Sequence, residues 1–192
     1  MLTKIDVHHN CLVAEEVKKL YFSAFPKYER IPWLVLWWNT KRKNLRFMAF
    51  LDGREFCGFA IYTVVDRLCY VFFFAVAENL RGKGYGSKIL ADLQKSYGAV
   101  GLNIEPLDPS ADNYTQRESR FAFYKKNGFF DTGYDVWEVG GKFRILSTDQ
   151  NLPMSQVKKA FRKLTAGFLN VKIKASSVPQ FPKSNGTGSG YI

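Results

Sequence analysis

Apolar positions in "VAEEVKKLYFSAF" recur at Val13, Val17, Leu20, Tyr21 and Ala24, the spacing of one helix face. The pattern predicts a helix that stops by Phe25, because Pro26 disfavours helical geometry in the residue before it. "ERIPWLVLWWNT" places Pro32 where a helix can begin, and predicts a second, short helix through about Trp38, although a strand fits the same run. The period then changes. In "RFMAFLDGREFCGFAIYTVV", Asp52-Gly53 separates two β-type runs, a hairpin signal. Val64 to Arg67 make a second turn into "LCYVFFFAVA", which predicts three strands in an antiparallel meander. "GSKILADLQKSY" carries Ile89, Leu90, Leu93 and Tyr97 on one face, an amphipathic helix stopped near Gly98. "AVGLNIEPL" reads as a further strand ended by Pro106, "LDPSADNYTQ" as a loop, and "RESRFAFYKKNGF" as a helix closed by Asn127-Gly128. "YDVWEVGGKFRIL" is a strand pair turning at Gly140-Gly141. "LPMSQVKKAFRKLTAGFLNV" returns to helical spacing through Met154, Val157, Phe161, Leu164 and Phe168, with lysines opposite. The final "SSVPQFPKSNGTGSGYI" is rich in Ser, Gly and Pro and is expected to be disordered.

Composition narrows the class. The 192 residues fit one domain with an appendage, and 46% hydrophobic and 16% aromatic residues supply a large core. No apolar run reaches the ~18 residues needed to span a bilayer, and "MLTKIDVHHN" has no apolar signal core, so the expected location is cytoplasmic. Cys57 and Cys69 lie in apolar runs and are expected to be buried thiols, and the three cysteines have no metal-type spacing. His8 and His9 have no partner cluster, so no metal is expected. Net charge is +11. Residues 151–192 hold seven lysines and arginines and no acid, so most of the basic excess belongs to the C-terminal segment.

The chemistry concentrates in "NLRGKGYGSKIL", where Gly82, Gly84 and Gly86 alternate among Arg81, Lys83 and Lys88 just before the amphipathic helix. Glycines allow a close backbone approach, and a helix N-terminus offers free N–H groups and partial positive charge. The stretch should therefore bind phosphate, and a pyrophosphate fits its length. The NTPase loop G-x-x-x-x-G-K-[ST] fails, because Gly86 is followed by Ser87-Lys88. The dinucleotide loop G-x-G-x-x-G fails on spacing and on the antiparallel meander that precedes it. The pattern [Q/R]-x-x-G-x-[G/A] is met by Arg81, Gly84 and Gly86. Downstream, "FAFYKKNGF" places Tyr124 near the end of a helix that closes on Gly-Phe. In these two motifs and their separation the chain resembles the GNAT-type N-acetyltransferases, over roughly residues 14–146.

That resemblance implies an α/β (α+β) fold with a mixed, mostly antiparallel central sheet flanked by helices. It implies acetyl-CoA as co-substrate, its diphosphate held by Arg81, Gly82, Lys83, Gly84, Tyr85, Gly86 and Ser87. Its pantetheine arm would pair with the strand edge at Phe74, Ala75 and Val76, and a backbone N–H near Val76 would face the thioester oxygen. Tyr124 matches the general acid. The base is open: Glu105 is the first choice and Glu29 the second, unless the amine arrives neutral. The family often has an asparagine seven residues before the tyrosine; here Arg117 stands there, with Gln116 beside it, to bind a phosphate or face solvent. The acceptor side offers Glu29, Trp33, Asp108 and Asp112, which suit a small cationic amine.

The resulting division is an acetyltransferase domain over 1–148, a basic amphipathic helix over 149–175 and a disordered tail over 176–192. The helix is expected to pack on the domain or against a second copy of the chain; a nucleic-acid or anionic-membrane patch is the less favoured reading. A non-catalytic acyl-CoA sensor on the same fold is the rival to the enzyme.

Overall fold

The computed structural model describes residues 2–9, 11–41, 44–138, 140–165, 167 and 171–177. It opens with a strand absent from the sequence reading, β1 (Thr3–Asp6). The helical spacing after it forms α1 (Cys11–Ala24) and α2 (Trp33–Lys41). Phe25 and Pro26 end α1 as expected, and α2 starts directly after Pro32. The meander follows as β2 (Arg46–Asp52), β3 (Glu55–Val65) and β4 (Leu68–Val76). Its first turn is Gly53-Arg54, one residue later than the Asp52-Gly53 signal, with Gly53 at φ +60°. Then come α3 (Tyr85–Tyr97), β5 (Ala99–Ile104), α4 (Tyr114–Lys126), β6 (Phe130–Glu138), β7 (Gly141–Ser147), α5 (Met154–Leu164) and β8 (Lys172–Ala175).

The strands form one sheet in the order β1-β2-β3-β4-β5-β7-β6-β8. All pairings in it are antiparallel except β4–β5. The parallel pair requires a crossover, and α3 supplies it. One face of the sheet is covered by α1, α2 and α5 through Val17, Tyr21, Leu36, Val157 and Phe161. The other is covered by α3 and α4 through Ile89, Leu90, Leu93 and Phe121. The unbroken apolar run of β4 follows from this layering, since a strand sandwiched between two layers needs apolar residues on both faces. Cys57 and Cys69 are both free and buried within the sheet.

Two boundaries of the sequence reading change. The basic segment 149–175 is not one helix. Its helix ends at Leu164, where the Gly167 N–H returns to the Arg162 carbonyl at 2.7 Å. Residues 172–175 instead pair with β6 as the last strand of the sheet. Lys172, Ile173 and Lys174 alternate with the period of a strand, and only Ile173 packs on the core. Phe168 lies outside the described residues. The tail does not start at 176 either: Ser176 donates its N–H to the Gly133 carbonyl at 2.7 Å. Residues 178–192 lie outside the described residues. As expected, α5 packs on the domain. Phe161 meets Phe72 edge-on and Tyr70 at a tilt, and the exposed basic face of α5 sends Lys163 to the Val64 carbonyl at 2.7 Å.

At Gly58, β3 packs tightly against β4. A Cβ there would lie 2.3 Å from the Ala75 carbonyl oxygen and 3.1 Å from the Val76 Cα, both backbone atoms that cannot rotate away. Gly58→Ala is expected to destabilise the fold by roughly 1–3 kcal/mol and to displace β4 at residues 75–76. An unchanged urea midpoint would show that the strands tolerate the methyl group.

Candidate active site

β4 and β5 part company midway. They pair only from Leu68↔Ala99 to Val71↔Leu102. A bulge in the β3–β4 register inserts Phe72 into β4 and bends the strand, so β4 runs on to Val76 without β5 beside it. Asn103 and Ile104 of β5 meanwhile pair with β7. The Ala77 N–H bonds the Cys57 carbonyl on the β3 side at 2.9 Å. Backbone groups alternate along a strand, so Ala75 also faces β3, while Phe74 and Val76 turn theirs into the split. Of the three residues expected on this edge, Phe74 and Val76 turn their backbone groups to it and Ala75 does not. The Val76 carbonyl accepts the Arg81 Nε at 3.4 Å.

The glycine loop lies at the open end of this split. Gly82 and Gly84 have φ of +77° and +82°, a left-handed conformation that side chains disfavour. Gly84 is the N-cap of α3 and supplies no side-chain cap. The first helical bond runs from the Lys88 N–H to the Gly84 carbonyl, which leaves the N–H groups of Tyr85, Gly86 and Ser87 facing outward. Arg81, Lys83 and Lys88 surround them, all exposed. These donors and charges fit a phosphate or diphosphate. Gly86 has a different reason: a Cβ there would sit 2.9 Å from the Phe123 ring, so it lets α3 seat against α4. The Tyr85 side chain is committed elsewhere, since its hydroxyl donates to Asp52 at 2.9 Å and Lys88 lies over its ring. Only the backbone of Tyr85 is offered to a ligand.

Tyr124 stands near the C-terminal end of α4, half-buried. Its ring meets Phe123 and Phe129 edge-on, at 5.2 and 5.4 Å between centroids. Its hydroxyl has no hydrogen-bond partner among the described residues. Burial pushes the phenol up to about 12, with Arg120 opposing, so the group holds its proton at neutral pH.

The acids are arranged differently from expectation. Glu105 follows β5, as predicted, but its oxygens are held by Arg120 at 2.7 Å, Arg117 at 3.2 Å and Asn113 Nδ2 at 3.2 Å. Both Glu105 oxygens are thus already engaged by two guanidiniums and an amide. The same cluster corrects Arg117. Its Nε donates to Asn113 Oδ1 at 2.7 Å and its Nη1 to the Pro106 carbonyl at 2.9 Å, so it ties the start of α4 to the end of β5 and has no free fork for a phosphate. Glu29, half-buried in the turn after α1, forms no ion pair among the described residues. Burial and the nearby Glu105 raise it, against Arg120 and Arg117.

One carboxylate was missed. Glu138, the last residue of β6, accepts the Asn103 Nδ2 at 2.7 Å, and Asn103 Oδ1 in turn accepts the Tyr70 hydroxyl. Burial raises Glu138 to about 7, the Asn103 bond opposing and Glu29 adding. One signal was legible: Glu138 shares strand parity with the fully buried Val136, so it was an acid on the inward face.

Glu29, Glu105, Asp108 and Arg117 line a cavity of about 380 Å³ with Tyr28 and Phe143. Asp108 is held low by the Ser110 hydroxyl and N–H. Trp33 is not in this cavity; it packs on Tyr21, Trp37 and Phe47.

A sheet split beside a basic, glycine-rich helix start defines an acyl-transferase type of architecture. The family model for the Acetyltransferase (GNAT) family matches residues 13–129, and the chain belongs to that family. YjbC of Bacillus subtilis (strain 168), an acetyltransferase by assignment only, is 28% identical over 90 residues, which are 47% of this chain and 43% of YjbC. A GNAT-family protein of Bacteroides thetaiotaomicron, likewise an acetyltransferase by assignment, superposes with a TM-score of 0.69 at 21% identity. That match covers 88% of this chain and 99% of the other. An aminoglycoside 6'-N-acetyltransferase in complex with coenzyme A superposes at 0.61 and 16% identity, covering 77% and 95%. At these identities the structural likeness establishes the fold. No described helix is long and apolar enough to cross a membrane.

Proposed function

We propose that this protein transfers an acetyl group from acetyl-CoA to a primary amine on a small cationic acceptor. The observation that carries the reading is the split itself. The backbone groups of Phe74 and Val76 face an opening whose end is the uncapped N-terminus of α3. Acetyl-CoA supplies an activated acetyl thioester. Gly82 to Ser87, with Arg81, Lys83 and Lys88, hold its diphosphate, and the open edge of β4 pairs with its amide-bearing arm. The Val76 N–H is a preorganised donor for charge that develops on the carbonyl oxygen. Tyr124 donates a hydrogen bond to the sulfur as it leaves.

The acceptor side supports a cationic small molecule. Its cavity is in the size range of small-molecule sites. Glu29 forms no ion pair among the described residues, so its carboxylate can still pair with an incoming ammonium. An aminoglycoside 6'-N-acetyltransferase stands among the structural neighbours.

Calorimetric titration with coenzyme A, followed by thiol release from acetyl-CoA over a panel of primary amines, tests the reading. The panel contains a polyamine, an aminoglycoside, an amino acid and a peptide with a free N-terminus. Tight coenzyme binding with no turnover of any amine would favour the sensor over the enzyme. Gly84→Val forces a branched side chain into the left-handed region and is expected to weaken coenzyme A binding at least ~10-fold. Wild-type affinity in that variant would remove the loop from the binding site.

A further inference from the structure

An ammonium nitrogen must lose a proton before it attacks a thioester, and the carboxylates at the end of β5 are not equivalent for that task. We propose that Glu138 is the proton acceptor, its carboxylate taking a proton from the acceptor nitrogen at the mouth of the β4–β5 split. The inference rests on the transferase reading above and names a residue of that same site.

Placement carries the assignment. Asn103 is the first residue of β5 beyond the last β4 pairing, so it stands where the split opens. Its amide is fixed on one side by the Tyr70 hydroxyl of β4 and on the other holds Glu138 of β6. Glu138 is therefore oriented by a two-link chain from the floor of the split, yet stays partly exposed. No cation lies within ion-pair distance of it among the described residues, whereas Glu105 holds two. Glu29 has no side-chain hydrogen bond among the described residues to fix its position. The titratable groups that face Glu138 are Tyr70 from β4 and Glu29 from the turn after α1. Glu29 in turn feels Glu105, Arg117 and Arg120. Burial in this acid-rich setting brings Glu138 to about 7, where a carboxyl can both accept and release a proton.

The step balances within the site. One N–H bond of the ammonium breaks, its electron pair stays on nitrogen, and the proton bonds to a Glu138 oxygen. The nitrogen pair forms the bond to the thioester carbon, and the C–S pair departs on sulfur. The second surplus proton of the nitrogen passes to sulfur beside the Tyr124 hydroxyl. Glu138 then returns its proton to water.

Glu138→Gln in the full chain preserves shape and an acceptor for Asn103. It is expected to lower kcat/KM about 100-fold. It should abolish the acidic limb of the rate profile centred near pH 7, and leave coenzyme A affinity unchanged. An acceptor amine of low pKa, which arrives unprotonated, should recover most of the loss. A readout without acceptor is carbon-13 titration of glutamate-labelled protein. One carboxyl should titrate between about pH 6 and 8, absent from Glu138→Gln and shifted upward in Asn103→Leu, which removes the hydrogen bond to the anion. A wild-type pH profile in Glu138→Gln, or no such carboxyl in the wild type, overturns the assignment and leaves the transferase reading standing. Failure of the wild type to bind coenzyme A overturns both.

Discussion

Arg144→Met is expected to destabilise the protein by about 3–5 kcal/mol, the cost of taking the buried guanidinium away from Asp131 and Asp135 and leaving Asp135 only the more distant Lys142, at 3.9 Å. Arg144 lies on β7 with its side chain only 2% exposed. Its Nε donates to Asp135 at 2.6 Å, one Nη to Asp131 at 2.5 Å and the other to the Ser176 hydroxyl at 2.5 Å. One guanidinium thus joins β7, β6 and the residue that follows β8. The methionine fills most of the volume but answers neither acid. Replacing Asp131 and Asp135 by asparagine in the same background should restore most of the loss, because the penalty belongs to the buried carboxylate charges the guanidinium no longer meets and not to the missing arginine. Urea unfolding of the single and triple variants measures this. A loss under about 1 kcal/mol in Arg144→Met would mean that water reaches the pair.

Tyr124→Phe is expected to lower kcat about 100- to 1000-fold and leave coenzyme A affinity within a factor of two or so. The ring contacts with Phe123 and Phe129 survive in phenylalanine, so packing is retained and the hydroxyl alone is lost. A phenol raised to about 12 does not surrender its proton outright to a thiolate of pKa ~8.5; in the proposed reaction it serves that thiolate as a hydrogen-bond donor. The sign of its pH dependence follows. The hydroxyl remains a donor until the pH approaches 12, so the wild-type profile should show no alkaline limb from Tyr124 near the ordinary tyrosine value of ~10. Stability moves in the same sense. Tyr124 and Tyr21, both raised to about 12, favour the folded state fully below about pH 10. They lose that contribution as pH rises through 12. Equal kcat in Tyr124→Phe and wild type would exclude the hydroxyl from the reaction.

Much of the machinery was legible before any coordinates. The helix spacing of Val13 to Ala24 and of Ile89 to Tyr97, the hairpin near Gly53, and the loop Arg81–Gly86 are set by contacts within a few residues. They appear where the pattern put them. The short edge strands were not legible. Thr3–Asp6 and Lys172–Ala175 are short, half-charged and weakly patterned, and each exists because a neighbouring strand offers unpaired backbone groups. The roles of the acids were also hidden. Glu105 and Glu138 look alike as letters. One is neutralised by arginines on α4, and the other is held by an asparagine 35 residues earlier in the chain.

The sequence by itself determined the glycine loop, the tyrosine that follows it on the next helix but one strand, and the layered character of the sheet. These depend on backbone conformation and side-chain period, which act over a turn or two. Tertiary structure alone decided where β4 leaves β5, which glycine seats one helix on another, and which carboxylates are engaged by arginines. Each of those outcomes is a competition for partners among residues brought together from distant parts of the chain, and a charge or a backbone amide is available only when that competition leaves it unanswered.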